Sequence, residues 1–176
     1  MTERSDVDLM LAFRAGDEAA FSVLLERHRN AVVNLAYRYL GNRADAEDLA
    51  QEVFLRVCRA RERWRPDAKF STWLYRIAAN ACLNEVRDRK SRVTTRAVPI
   101  GREGERGFVG PIRDTRAESP ERAAEREELH ARLREAVAAL PERQRLALLL
   151  NKFHDLGYEE LAAALELSVP AAKSLL

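Results

Sequence analysis

Arg76, Asn80, Asn84 and Arg87 are spaced four, four and three residues apart. On a helix that spacing places them in one polar stripe. Guanidinium and amide groups in such a row suit phosphates and base edges. Just upstream lie Lys69, Phe70, Ser71 and Trp73, cations beside aromatics that can stack on an exposed base. A merely solvated face is the competing reading for this helix taken alone. Bond-making chemistry finds less support. His28, His130 and His154 are scattered and show no ligand spacing. Cys58 and Cys82 are far apart, each within a helical pattern, and read as buried thiols rather than a disulfide or metal pair. Asp45, Glu47 and Asp48 cluster, but they lack a partner histidine and a Gly-rich loop. They read as a charged face, solvated or docked on a protein. The expectation is a chain without metal or cofactor, and not an enzyme.

The stripe needs a helix to carry it. Ser71 is a suitable N-cap and no Gly or Pro follows for a long stretch, which predicts a helix from about Thr72. Leu74, Ile77, Ala78 and Ala81 then form its apolar face. Charge sets this region apart. Residues 1–55 carry 6 Lys and Arg against 10 Asp and Glu; residues 56–92 carry 11 against 4; residues 93–176 carry 13 against 14. A basic block between acidic and neutral parts is the footprint of nucleic-acid binding. The acidic part before it would repel DNA and fits a protein partner better.

The chain has 176 residues, 47% of them hydrophobic, and only 7 Gly. That is enough for one medium domain or two small ones, and it favours an all-α fold. No apolar run is long enough to span a bilayer, and the first residues, Met1 to Asp6, are polar. A cytoplasmic chain is the expectation.

Helical periodicity accounts for most of the rest. Val7 to Ala15 reads as a short helix with Leu9, Met10, Leu11 and Phe13 apolar and Gly16 as its stop. Asp17 caps a helix from Glu18 to Leu40, with Phe21, Leu24, Leu25, His28, Val32, Leu35, Ala36 and Tyr39 in its buried stripe. Asn42 or Asp45 starts a third helix. There Ala46, Leu49, Ala50, Val53 and Val57 face inward, and Asp48, Gln51, Glu52 and Leu55 face outward. Between Val93 and Pro120 periodicity disappears, and 4 of the 7 Gly and 3 of the 6 Pro gather there. This stretch reads as a flexible linker. Beyond it, a helix capped at Ser119 is expected to bury Leu129, Leu133, Val137 and Leu140, and Pro141 opens another. Two short helices around Tyr158–Leu165 and Val169–Leu176 fit a helix-turn-helix.

Three stretches carry a resemblance that spans essentially the whole chain: Asp45-Ala46-Glu47-Asp48-Leu49-Ala50-Gln51-Glu52-Val53-Phe54, Phe70-Ser71-Thr72-Trp73-Leu74-Tyr75-Arg76-Ile77-Ala78-Ala79-Asn80, and Leu140-Pro141-Glu142-Arg143-Gln144-Arg145 running into Tyr158-Glu159-Glu160-Leu161-Ala162. The chain resembles the extracytoplasmic-function (ECF) class of bacterial sigma factors. The resemblance implies two small helical domains. Residues 1–92 correspond to sigma region 2, 93–120 to the linker, and 121–176 to the region 4 helix-turn-helix. It implies binding to core RNA polymerase through Asp48, Gln51, Glu52, Phe54 and Leu55. It implies recognition and opening of the −10 promoter element through Lys69, Phe70, Ser71, Trp73, Arg76, Asn80, Asn84 and Arg87. It implies −35 recognition through Ser168, Lys173 and Ser174. Core RNA polymerase, promoter DNA and an anti-sigma factor are the implied partners. The sequence departs from the family at Glu166, where a Gly is usual in the turn, and at Ala171 and Leu175 in the reading helix. Where the family continues with a basic tail the chain stops at Leu176, so the expectation is a truncated chain or, failing that, a weakened −35 reading. The competing function is a stand-alone helix-turn-helix regulator, which would leave the Asp48–Phe54 helix and the Trp73 region unexplained.

Overall fold

A computed structural model describes residues 4–95 and 120–176. Among these residues the chain is all-α, with eight α-helices and one 3-10 turn. The expected linker falls almost entirely outside the described residues.

Helix α1 (Asp6–Arg14) is capped by Ser5, whose side chain accepts from the Asp8 backbone N–H. Helix α2 (Glu18–Leu40) is capped by Asp17 and stops at Gly41, which takes the left-handed conformation (φ 78°) that suits glycine. Asn42 then caps α3 (Arg43–Ala60) by accepting from the Asp45 N–H. The 3-10 turn Arg61–Arg63 leads to Trp64, which is fully buried. These elements pack around α4 (Phe70–Thr95).

Helix α4 begins at Phe70 rather than near Thr72. Its first turn is closed by the Trp73 N–H donating to the Lys69 carbonyl at 3.2 Å. Burial explains the earlier start. Phe70 is 1% exposed and packs edge-on against His28, ring centroids 5.3 Å apart, and beside Trp73 at 6.1 Å. Tertiary packing, not a side-chain cap, fixes where this helix begins.

The C-terminal set is α5 (Pro120–Ala139), α6 (Glu142–Phe153), α7 (Tyr158–Leu165) and α8 (Val169–Leu175). Leu146, Leu149, Leu150, Leu161 and Leu165 fill its core. The expected burial along α5 holds only in part: Val137 is buried, whereas Leu129 and Leu133 are 64% and 45% exposed. The helical period is present there, but among the described residues no other helix covers Leu129 and Leu133.

The two helical sets pack directly on each other. Helix α7 lies along α4, and α6 lies against α2 and α4, so the buried residues of both sets form one continuous cluster. Tyr75, Ala79 and Cys82, which lie outside the expected apolar stripe of α4, are also buried. Burial pushes the Cys82 thiol up to about 12.

Replacing Phe70 with Ala should therefore destabilise the whole chain by about 3–5 kcal/mol, the usual cost of emptying a buried aromatic site. Urea denaturation followed by circular dichroism measures it. A variant of unchanged stability that loses only nucleic-acid binding would mean that Phe70 works in the open instead.

Candidate protein and nucleic-acid interfaces

Helix α3 separates its residues by face. Ala46, Leu49, Ala50, Val53 and Val57 are buried, and Asp48, Gln51 and Leu55 are exposed. Glu52 is half-buried and accepts from Arg56 Nε at 2.9 Å, with Arg59 at 3.8 Å. The Arg56 hydrogen bond holds its carboxyl below the usual range. Phe54, expected on the docking face, is a core residue at 5% exposure. Its ring nevertheless forms part of the wall of an apolar cleft of about 280 Å³, together with Phe21, Leu25, Leu55 and Cys58. Phe21 stacks on Phe13 at 4.6 Å and meets Phe54 edge-on at 6.4 Å, which fixes that wall. The α2 contribution to this cleft was not anticipated. Its signal was present in the half-exposed Phe21 and Leu25, which the periodicity of α2 assigns to its inner stripe.

A second cleft runs between α3 and α4. Asp45, Asp48, Glu85 and Asp88 border it, and Asn84 lies on its α4 side. Arg89 spans part of this edge, with its guanidinium 2.8 Å from both Asp45 and Glu85.

The eight residues expected to face the −10 element divide into three groups. Asn80, Asn84 and Arg87 are exposed and share one side of α4. Lys69 and Arg76 reach the same surface but are engaged: Lys69 Nζ lies 2.7 Å from Glu160, and Arg76 Nε lies 3.9 Å from Glu166. Phe70 and Trp73 are buried, and Ser71 is half-buried in the first turn. The aromatics thus form no open stacking platform in this structure; they anchor the N-terminal turn from below. Among the described residues Arg63, Arg65 and Arg87 form no ion pair.

On the other side, Ser168 caps α8 by accepting from the Ala171 N–H at 3.3 Å. Ser174 Oγ donates to the Pro170 carbonyl at 3.1 Å, and Lys173 Nζ sits 5.5 Å from the Tyr158 ring. All three of these residues are exposed, and among the described residues α8 packs on α6 and α7. Tyr158 is exposed beside Lys173.

The seam between the two sets is polar at its edges. Tyr75 Oη lies 2.9 Å from His154 Nδ1. The Arg38 guanidinium stacks on Phe153 at 3.8 Å, and that of Arg145 on Tyr39 at 4.4 Å. Burial, with the charge of Arg38 adding to it, pushes His154 down to about 4, so the ring is neutral at neutral pH. Burial raises the Tyr75 hydroxyl.

The model described as Sigma-70 region 2 matches residues 24–92, and the one described as Sigma-70, region 4 matches residues 130–176. The chain is 34% identical over 174 residues to the RNA polymerase sigma-H factor of Pseudomonas aeruginosa, covering 99% of this chain and 89% of that relative. It is 31% identical over 161 residues to the ECF RNA polymerase sigma factor SigW of Bacillus subtilis, covering 92% and 85%. An engineered region 2 of sigmaE, solved in complex with GTAAAA, matches 53% of this chain and 98% of that one, with 36% identity and a TM-score of 0.50. Among the described residues no helix is long and apolar enough to cross a membrane.

The neutral His154 carries a pH signature. Tyr75 of α4, Arg38 of α2 and the adjacent Asp155 are the groups that bear on it. Its folded value lies below the ordinary 6.5, so its contribution is full above that pH and is lost as pH falls from 6.5 toward about 4. Urea midpoints of the wild type should therefore fall relative to His154→Gln across that window. A difference between the two that stays constant with pH would show that His154 does not titrate at the seam.

Proposed function

The chain belongs to the extracytoplasmic-function class of RNA polymerase sigma factors, and from that membership we propose that α3 and α4 divide its work between polymerase and promoter. Residues 1–92 act as region 2 and residues 121–176 as region 4, joined by 93–120. Asp48, Gln51, Glu52 and Leu55 dock on core RNA polymerase, with Phe54 in the wall of the apolar cleft that Gln51 and Leu55 also line. Asn80, Asn84 and Arg87, joined by Arg76 and Lys69, face the −10 element, while Phe70, Ser71 and Trp73 hold the turn where a base is captured. Ser168, Lys173 and Ser174 present α8 to the −35 element. An anti-sigma factor that covers these faces is the third partner, and the cytoplasm is the place of action. The chain makes and breaks no bond in this reading; it places DNA in front of the polymerase.

One observation carries the proposal: exposed character is segregated between neighbouring helices. The outer side of α3 offers Glu47, Gln51 and Leu55 around an apolar cleft, with Asp48 and Glu52 on the acidic cleft beside it, and the outer side of α4 offers Asn80, Asn84 and Arg87, with Glu85 and Asp88 along its edge on that acidic cleft. An acidic and apolar face suits a protein, where a few buried side chains dominate affinity. A cationic and amide face suits DNA, where cations gain affinity through counterion release and amides read base edges. Opening the duplex costs a few kcal/mol per extruded base. Stacking and edge contacts offset roughly 1–3 kcal/mol of that per base. The related region 2 solved with GTAAAA supports placing the nucleic acid on this half of the chain.

The purified chain should bind bacterial core RNA polymerase. Asp48→Arg and Leu55→Ala together should weaken that binding by on the order of tenfold or more, as loss of a central contact does. Asn80→Ala should leave core binding intact and impair promoter opening. A well-folded chain that does not bind core polymerase would refute the role.

A further inference from the structure

We infer that His28, held by Asp6, is a positioning residue for promoter opening: it seats Phe70 beneath the turn at residues 69–73 where a base is captured. The inference rests on the reading of α4 as the −10 face.

His28 belongs to neither of the two interfaces. It stands on the inner stripe of α2, and its side chain is 16% exposed. Its Nε2 lies 2.7 Å from Asp6 Oδ2, in the first turn of α1. The other oxygen of that carboxylate accepts from Arg27 at 2.8 Å, and Arg27 also donates to the Arg4 carbonyl at 2.9 Å. Ser5 and Asp8 cap the same turn reciprocally. With both oxygens engaged and its backbone capped, Asp6 is a fixed acceptor. A fixed acceptor sets the orientation of the imidazole, because only one direction of the ring brings Nε2–H onto it.

The ring so oriented meets Phe70 edge-on, with centroids 5.3 Å apart and planes at 61°. Edge-on aromatic contact is directional, so a turned imidazole would lose it. Phe70 is 1% exposed and lies 6.1 Å from Trp73, whose N–H closes the first turn of α4 on the Lys69 carbonyl. Asp6, His28, Phe70 and Trp73 thus form one line of contacts, from the start of α1 through α2 to the start of α4. An apolar residue at 28 would fill the same space but would leave its neighbours without a fixed direction.

Position matters at this turn more than elsewhere. An extruded base costs a few kcal/mol, and the contacts that capture it are worth little more. A turn that must first be ordered loses part of that gain to entropy. The polymerase-docking side is separate. Asp48, Gln51 and Leu55 stand on α3, and α1 meets the apolar cleft at its far end, where Phe13 stacks on Phe21. Loss of the Asp6–His28 contact should therefore affect opening and spare docking.

The test uses the full chain with bacterial core RNA polymerase, on a promoter selected from a random-sequence library by the wild-type complex. Permanganate reactivity of its thymines reads opening, and fluorescence anisotropy reads core binding. The dependence of the rate on complex concentration separates initial promoter binding from opening. His28→Ala and Asp6→Ala should each slow opening by on the order of tenfold, the scale of one hydrogen bond to a charged group. Initial binding and core affinity should stay at wild-type values. The double variant should be no slower than either single one, because the two side chains act as a unit. Val32→Ala, which thins the buried side of α2 one turn further on, controls for destabilisation and should open at the wild-type rate. Asp6 is partly exposed, so Asp6→Ala keeps the test decisive should His28→Ala unfold. Amide hydrogen exchange of the free chain gives a reading without polymerase: Trp73 and Leu74 should exchange faster in both variants, with α3 unchanged. Opening at the wild-type rate, a loss no larger than that of Val32→Ala, or additive losses in the double variant would overturn the inference. Absence of core binding by the wild type would count against the sigma role alone, and exchange at Trp73 and Leu74 would then decide the seating of Phe70 by itself.

Discussion

The structure turns on the commitment of α4 to two neighbours at once. A helix with one apolar stripe needs one partner; a helix that is apolar around most of its circumference must be enclosed. Between Phe70 and Cys82, α4 buries Phe70, Trp73, Leu74, Tyr75, Ala78, Ala79, Ala81 and Cys82. Helices α2 and α3 take one part of that surface, and α6 and α7 take another. The small side chains at 78, 79 and 81 let the partners approach closely. Only beyond Cys82 does the helix become one-sided, and there Asn84 and Arg87 emerge.

Magnitudes assign different tasks to the contacts at the seam. Full burial of a large apolar side chain is worth about 1.5–3 kcal/mol, whereas an exposed ion pair is worth about 0–1 kcal/mol. Apolar contact therefore supplies most of the adhesion between the two helical sets. The ion pairs set which face of α7 meets which face of α4, and they make the contact sensitive to any competing anion. A neutral His154 fits the same seam, since a protonated ring beside Arg38 would add a second cation to a buried site.

Much of the fold was legible because its signals are local. Asp17 and Gly41 bound α2, and Asn42 starts α3, each through backbone groups within a few residues. What was not legible depends on contacts distant in sequence. Phe70 and Trp73 beside Lys69 look the same in sequence whether the rings face solvent or the core; only His28, across the bundle, shows that Phe70 points inward. Leu129 and Leu133 have the right period, yet periodicity says which side is apolar and not what covers it. On α3, the outward placement of Asp48, Gln51 and Leu55 was readable, while the cleft that Gln51 and Leu55 line needed Phe21 and Leu25 from α2. The packing of the two sets on each other had one overlooked signal. Tyr75, Ala79 and Cys82 lie off the main stripe of α4, and apolar residues on two sides of a helix imply two neighbours.

Glu166 brings these threads to one residue. A turn in this position favours glycine, which would end α7 without strain but would contribute no charge. Glutamate accepts the left-handed backbone and places a carboxylate 3.9 Å from Arg76. At that distance, with both groups largely exposed, the attraction is too small to repay the strain as folding energy. The ion pair depends on α7 lying on α4, whereas the backbone strain belongs to the turn itself. Substitution there should therefore separate two quantities that usually move together, the stability of the helix-turn-helix and the strength of its contact with α4.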